Sequence, residues 1–129
     1  MDVGPNGFEP IQDLDRYLKD KGTIEDDLKH LEGGNRAIVA IHCPPNGLDL
    51  DVCYGGRRVG SKSVTEWIAR EQPLLCMCGH IHESYTVTGT WKAVSGNTTI
   101  IQPGQLDKET SLVHIEINGS SVNARLVTL

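Results

Sequence analysis

Two short apolar runs, Ala37–Cys43 (AIVAIHC) and Leu74–Cys78 (LLCMC), lie on either side of a segment with helical character. This arrangement limits the folds open to the chain more than any other feature. The first run is rich in β-branched residues and almost free of polar ones, the pattern of a strand buried on both faces. Pro44-Pro45 stop it, and Cys43, preceding proline, is biased towards extended geometry, so the chain should leave the sheet without turning helical. Ser63-Val64-Thr65-Glu66 reads as a capping box that opens a helix to about Glu71, and Pro73 separates that helix from the second run. Strand, helix and strand over this distance predict a βαβ unit with parallel strands and a right-handed crossover.

The flanks are less regular. Residues 1–10 are rich in Gly and Pro and read as an irregular lead-in. Ile11 to Leu18 spaces its apolar positions for an amphipathic helix, which Gly22 breaks. Thr23-Ile24-Glu25-Asp26 resembles a cap for a short helix to about Leu31, ended by Gly33-Gly34. Beyond Cys78 the period changes to two, and short strands are expected at Tyr85–Val87, Lys92–Val94, Thr99–Ile101 and Ser111–Ile117. Asn118-Gly119 predicts a hairpin between the last two strands. With 129 residues, one domain spanning 1–129 is expected.

The βαβ reading gives the histidines their meaning. His42 ends the first strand, and Gly79-His80-Ile81-His82 follows the second, so parallel pairing brings three imidazoles to one sheet edge. Such carboxyl-terminal edges are where α/β proteins bind ligands. In an extended segment residues i and i+2 point the same way, which would aim His80 and His82 together. Neutral imidazole is a common transition-metal ligand, and His42, His80 and His82 are therefore the candidate metal ligands. Three neutral imidazoles suffice for one tetrahedral ion with an open position. His30, on a charged helix, and His114, alternating with apolar residues, read as ordinary surface or core residues.

Ile41-His42-Cys43-Pro44-Pro45, the loop carrying Asp49 and Gly60-Ser61, and Cys78-Gly79-His80-Ile81-His82-Glu83 resemble the C-terminal motifs of the calcineurin-like metallophosphoesterases. Gln102-Pro103-Gly104 resembles the Asn-Pro-Gly turn that follows the paired histidines in that family, with Gln replacing Asn. The resemblance covers residues 37–104. It implies part of an αββα sandwich, with the βαβ unit followed by short mixed or antiparallel strands and the C-terminal hairpin. It also implies a divalent metal cofactor (Mn, Zn, Fe or Mg) and a phosphorylated small-molecule or protein substrate. In the family pattern His42 and His80 would share one metal, and His82 would contact its neighbour.

The N-terminal motifs of that family have no counterpart in this sequence. No Asp-x-His or Gly-Asp occurs, and Gly34-Asn35-Arg36 carries Arg where the family has histidine. Two cations held close together need a shared anionic ligand, which imidazoles do not supply. The chain supplies about half of the sandwich, which predicts either a fragment of a longer enzyme, weak or inactive alone, or a chain that self-associates through its uncovered sheet, as a homodimer for example. A non-catalytic metal-binding or protein-interaction module on the same fold is the alternative.

Arg57 and Arg58, in the loop after His42, are placed to grip a phosphate by bidentate hydrogen bonds, or else are two solvated loop arginines. Asp49 and Asp51 shape that loop, orient a histidine, or are surface turn residues. Cys76-Met77-Cys78 before His80 invites a zinc-knuckle reading, but structural zinc sites take paired ligands from separate turns, which favours buried strand cysteines. The formal net charge of −5 argues against nucleic acid as the main partner. Without an apolar run of membrane-spanning length or a signal-like start, the reading is cytoplasmic, with reduced cysteines and no membrane partner.

Overall fold

A computed structural model describes residues 2–4, 7–9, 13–105 and 108–129. The chain forms two compact units, residues 1–31 and residues 32–129. In the first, β1 (Asp2–Gly4) pairs antiparallel with β2 (Gly7–Glu9), where an irregular lead-in was expected. Helix α1 (Leu14–Lys21) follows; Ile11 and Gln12, which open the expected helix, lie outside the described residues. Gly22, with φ of +77°, ends it. Helix α2 (Ile24–Leu28) is capped as expected, the Thr23 hydroxyl accepting from the Asp26 N–H at 3.2 Å.

The second unit is a mixed α/β structure around a four-stranded sheet of order β3-β4-β6-β5, with a separate antiparallel hairpin at its C-terminus. β3 (Ile38–Ala40) and β4 (Leu75–Met77) are parallel and are joined by α3 (Lys62–Glu71), the expected βαβ unit. β6 (Thr98–Ile101) also runs parallel to β4, while β5 (Lys92–Ser95) is antiparallel to β6. The expected hairpin pairs β7 (Ser111–Asn118) with β8 (Ser121–Thr128), turning through Gly119-Ser120, one residue beyond the Asn-Gly pair that signals it.

The register divides the core in two. Leu75 and Ile101 share one sheet face, and Ala124 of β8 is buried against them, with Met77, Trp91, Val113, Ile115 and Val122 around it. The hairpin therefore covers that face with one side of its own alternation. A crossover helix between parallel strands lies on a face of their sheet, so α3 takes the opposite one. Its buried Val64, Trp67 and Ile68 match buried Val39, Cys76 and Ile100 there. Each fully buried side chain of this size contributes roughly 1.5–3 kcal/mol.

Three local expectations differ from the structure. β3 is buried on one face only: Val39 is 5% exposed while Ile38 is 51% exposed. It is an edge strand, and the hairpin's packing reaches β4 and β6 but not β3. Helix α3 is capped by Ser61 rather than Ser63, because Ser61 is held extended by its bridge to Pro45 and accepts the Val64 N–H at 3.2 Å. The segment expected as a strand at Tyr85–Val87 is instead part of helix α4 (Ser84–Thr88). Tertiary bonds decide this. The buried Ser84 hydroxyl accepts from the Val52 N–H at 3.1 Å, and the Thr88 hydroxyl, one turn later, donates to the Asp49 carbonyl at 2.9 Å. Among the described residues no helix is long and apolar enough to cross a membrane.

Candidate metal centre

The parallel strands β3 and β4 deliver His42 and His80 to one edge of the sheet. The ladder continues past β3 and β4: Ile41 N–H donates to Met77 O at 2.9 Å, and Gly79 N–H donates to His42 O at 3.0 Å. His80 then leaves the ladder abruptly. Its φ is +69°, and the Ile81 N–H closes back on the Gly79 carbonyl at 2.8 Å, which makes His80 the centre of a three-residue turn. A positive φ at the centre of such a turn is the rarer, strained form.

This turn sets His80 Nδ1 3.2 Å from His42 Nε2, with ring centroids 4.9 Å apart and planes at 67°. Two nitrogens bound to one tetrahedral ion at about 2.0–2.1 Å would stand about 3.3 Å apart, so the pair suits a shared cation. Both rings are exposed, so an ion could reach them from solvent. Among the described residues no third His, Cys, Asp or Glu joins them in a group able to hold a metal.

His82 lies beyond the turn. The expectation that His80 and His82 aim together assumed an extended segment, and the left-handed backbone at His80 removes that alternation. The His82 carbonyl accepts from Gln105 N–H at 2.9 Å. Gly104 presses against the same carbonyl: a Cβ on Gly104 would lie 2.6 Å from it. A cavity of about 170 Å³ opens here, its lining including His80, Ile81, His82, Gln102, Pro103 and Gly104. Next to His82, Glu83 is kept below the ordinary carboxylate range, first by its own backbone N–H and then by the Tyr54 N–H, the Cys53 thiol and the nearby His82.

The loop after β3 is organised by Asp51. Its carboxylate is fully buried and accepts from Asn46 Nδ2 at 3.0 Å, Gly60 N–H at 3.1 Å, Arg58 Nη1 at 3.1 Å and Gly47 N–H at 3.4 Å. Arg58 bonds to Asp49 as well as Asp51, so both sides of its guanidinium are engaged within the loop, and the Asp49 carboxylate is the largest influence raising its pKa. Arg57 is exposed, and its carbonyl accepts from Cys53 N–H at 2.9 Å. Of the sequence alternatives for Asp51, shaping the loop is the one that fits these bonds; its complete burial was not legible, because neither periodicity nor spacing reports that an acid is buried.

All four cysteines are free thiols. Cys76, in β4, and Cys78, just beyond it, bring their sulfurs to 3.7 Å. The contact with Cys76, together with burial, pushes the Cys78 thiol up, and burial alone does most of the same for Cys43. His114 points away from the hairpin's packed side and pairs with Glu116 at 3.2 Å.

Gln102 escaped sequence reasoning altogether except as a variant of a turn motif. Its side chain is fully buried, donating from Nε2 to Ile81 O at 2.8 Å and Leu50 O at 3.1 Å and accepting the Gly104 N–H at 2.6 Å. Comparison of the chain with known protein families, with the curated proteins and with solved structures finds no match.

Proposed function

We propose that this chain is the C-terminal portion of a metallophosphoesterase-type hydrolase, acting on phosphate mono- or diesters with a divalent metal held in part by His42 and His80. The reading rests on one observation above all: two imidazole nitrogens 3.2 Å apart at the carboxyl edge of a parallel strand pair. Bound there, a divalent ion supplies positive charge that polarises a phosphoryl oxygen. The chain's own contribution is to hold the pair rigidly. The β3–β4 ladder positions His42, and the turn at Gly79-His80-Ile81 positions His80. His82, past the turn and beside an anionic Glu83, is assigned to a neighbouring ion. Arg58 is assigned to loop structure by its bonds to two aspartates, leaving Arg57 as the loop arginine available to a phosphate.

The test combines metal binding with turnover. Calorimetric titration with Mn²⁺ and Zn²⁺ should show binding in the natural chain and its loss in a His42→Ala, His80→Ala double variant. Equal affinity in the two proteins would overturn the assignment. Metal-dependent turnover of p-nitrophenyl phosphate or bis-p-nitrophenyl phosphate, weak in the isolated portion because the N-terminal motifs are missing, favours this reading over a second one, a non-catalytic metal-binding or interaction module. The second reading draws support from the open edge of β3, where Ile38 is half exposed. It expects metal binding with no hydrolysis by any preparation of the chain.

A further inference from the structure

We propose that Gln102 is the positioning residue of the His42–His80 pair, its buried amide acting as a clamp that keeps His80 in its strained turn at ligating distance from His42. The inference rests on the reading of that pair as metal ligands, and it concerns how the pair is held.

The turn needs holding from both sides. Its Gly79 side is anchored by the ladder bond to His42 O. Its Ile81 side has no ladder, because the chain has already left the sheet. There the Ile81 carbonyl receives the Gln102 Nε2 at 2.8 Å, while the Ile81 side chain is buried. A left-handed histidine persists only where its surroundings over-determine it, and these are the contacts that do so.

The same amide reaches two further segments. Its second N–H goes to Leu50 O in the loop organised by Asp51, and its carbonyl accepts the Gly104 N–H of the turn that presses on the His82 carbonyl. One side chain thus ties the segment carrying His80 and His82 to the loop that follows β3 and to the turn at Gly104. The chemistry demands an amide, since two carbonyls need donors and one N–H needs an acceptor. Glutamate would set a carboxylate against two carbonyl oxygens, and methionine of similar volume would leave all three groups unsatisfied. A residue needed only to fill this space would be apolar.

The experiment compares Gln102→Met and Gln102→Glu with Ile68→Ala, which lowers stability by removing a buried α3 side chain that has no bond to the turn. Two readouts are taken on the full chain: Zn²⁺ and Mn²⁺ affinity by calorimetry, and the NMR cross-peak between the His42 and His80 ring protons without metal. The Gln102 variants should lose about 10–100-fold in metal affinity, as expected when a partner that orients a ligand is removed. They should also lose the cross-peak, whereas Ile68→Ala keeps both despite its lower melting temperature. Wild-type affinity and an intact cross-peak in either folded Gln102 variant would overturn the proposal. So would equal losses in Ile68→Ala, which would reduce the effect to general destabilisation. If the natural chain binds neither metal, the metal reading fails, and the cross-peak alone still decides whether Gln102 positions His80.

Discussion

At the scale of single residues, Asp51 shows how converging hydrogen-bond donors accommodate a buried carboxylate. Four donors converge on it, of which only Arg58 is charged, and that side chain is 44% exposed. Solvent screening therefore discounts the ion pair, and most of the stabilisation lies with the neutral donors that Asp51 satisfies. Asp51→Ala should cost about 2–4 kcal/mol in chemical denaturation, because those buried donors lose their acceptor. A loss no larger than that of an ordinary surface substitution would contradict this. Asp26 gives a pH dependence of known sign. The hydrogen bond and charge of Lys29, with help from Thr23, hold its carboxyl below the ordinary value of 3.8. Its contribution to α2 is thus complete above that value and is lost as the pH falls through the lower folded pKa. An NMR titration following the α2 amides should show loosening below about pH 4, and less of it in Lys29→Ala.

At the scale of elements, the loops around the site depend on close backbone contacts. A Cβ on Gly60 would lie 2.6 Å from the Pro45 carbonyl and 2.7 Å from the Asp51 Cβ, neither of which can swing away. Gly60→Ala should therefore destabilise by about 1–3 kcal/mol through overpacking, although its backbone is not left-handed. Gly47, at φ of +93°, has open space around it, so alanine there should cost only the backbone strain of about 1–2 kcal/mol. Parallel denaturation curves for the two variants separate the causes: asparagine, which tolerates a positive φ, should lose less than alanine at position 47 but not at position 60. Elements also show where local sequence signals stop. The Asn118-Gly119 hairpin was readable because its turn chemistry and its strands agree over a dozen neighbouring residues. Ser61 and α4 were not, since each is set by partners far away in the chain: Pro44 and Pro45 for the cap, Asp49 and Val52 for the helix.

At the scale of the whole molecule, the candidate site belongs entirely to residues 32–129. The sheet, both of its covering layers, the histidine pair and Gln102 all lie in that unit. A shortened chain beginning at Glu32 should therefore unfold cooperatively and keep the metal affinity of the full chain, as calorimetry of both can check. Loss of binding in a folded, shortened chain would show that residues 1–31 take part. The open edge of β3 is the other feature at this scale. Ile38, and across the sheet Val94 at 65% exposure, leave apolar surface at both margins of a sheet whose centre is well covered.

By itself the sequence determined the parallel βαβ unit, the C-terminal hairpin and the arrival of His42 and His80 at one edge. Those outcomes follow from signals that act over a few residues: apolar runs, prolines that stop them, and the fixed hand of a crossover. Only the tertiary structure decided that His80 turns left-handed and parts from the alternation that would have joined it to His82. The cause is a hydrogen bond to Ile81 from a side chain 21 residues further on, together with the packing that buries both. No local pattern encodes such a bond, because its strength depends on water being excluded from the place where the two segments meet.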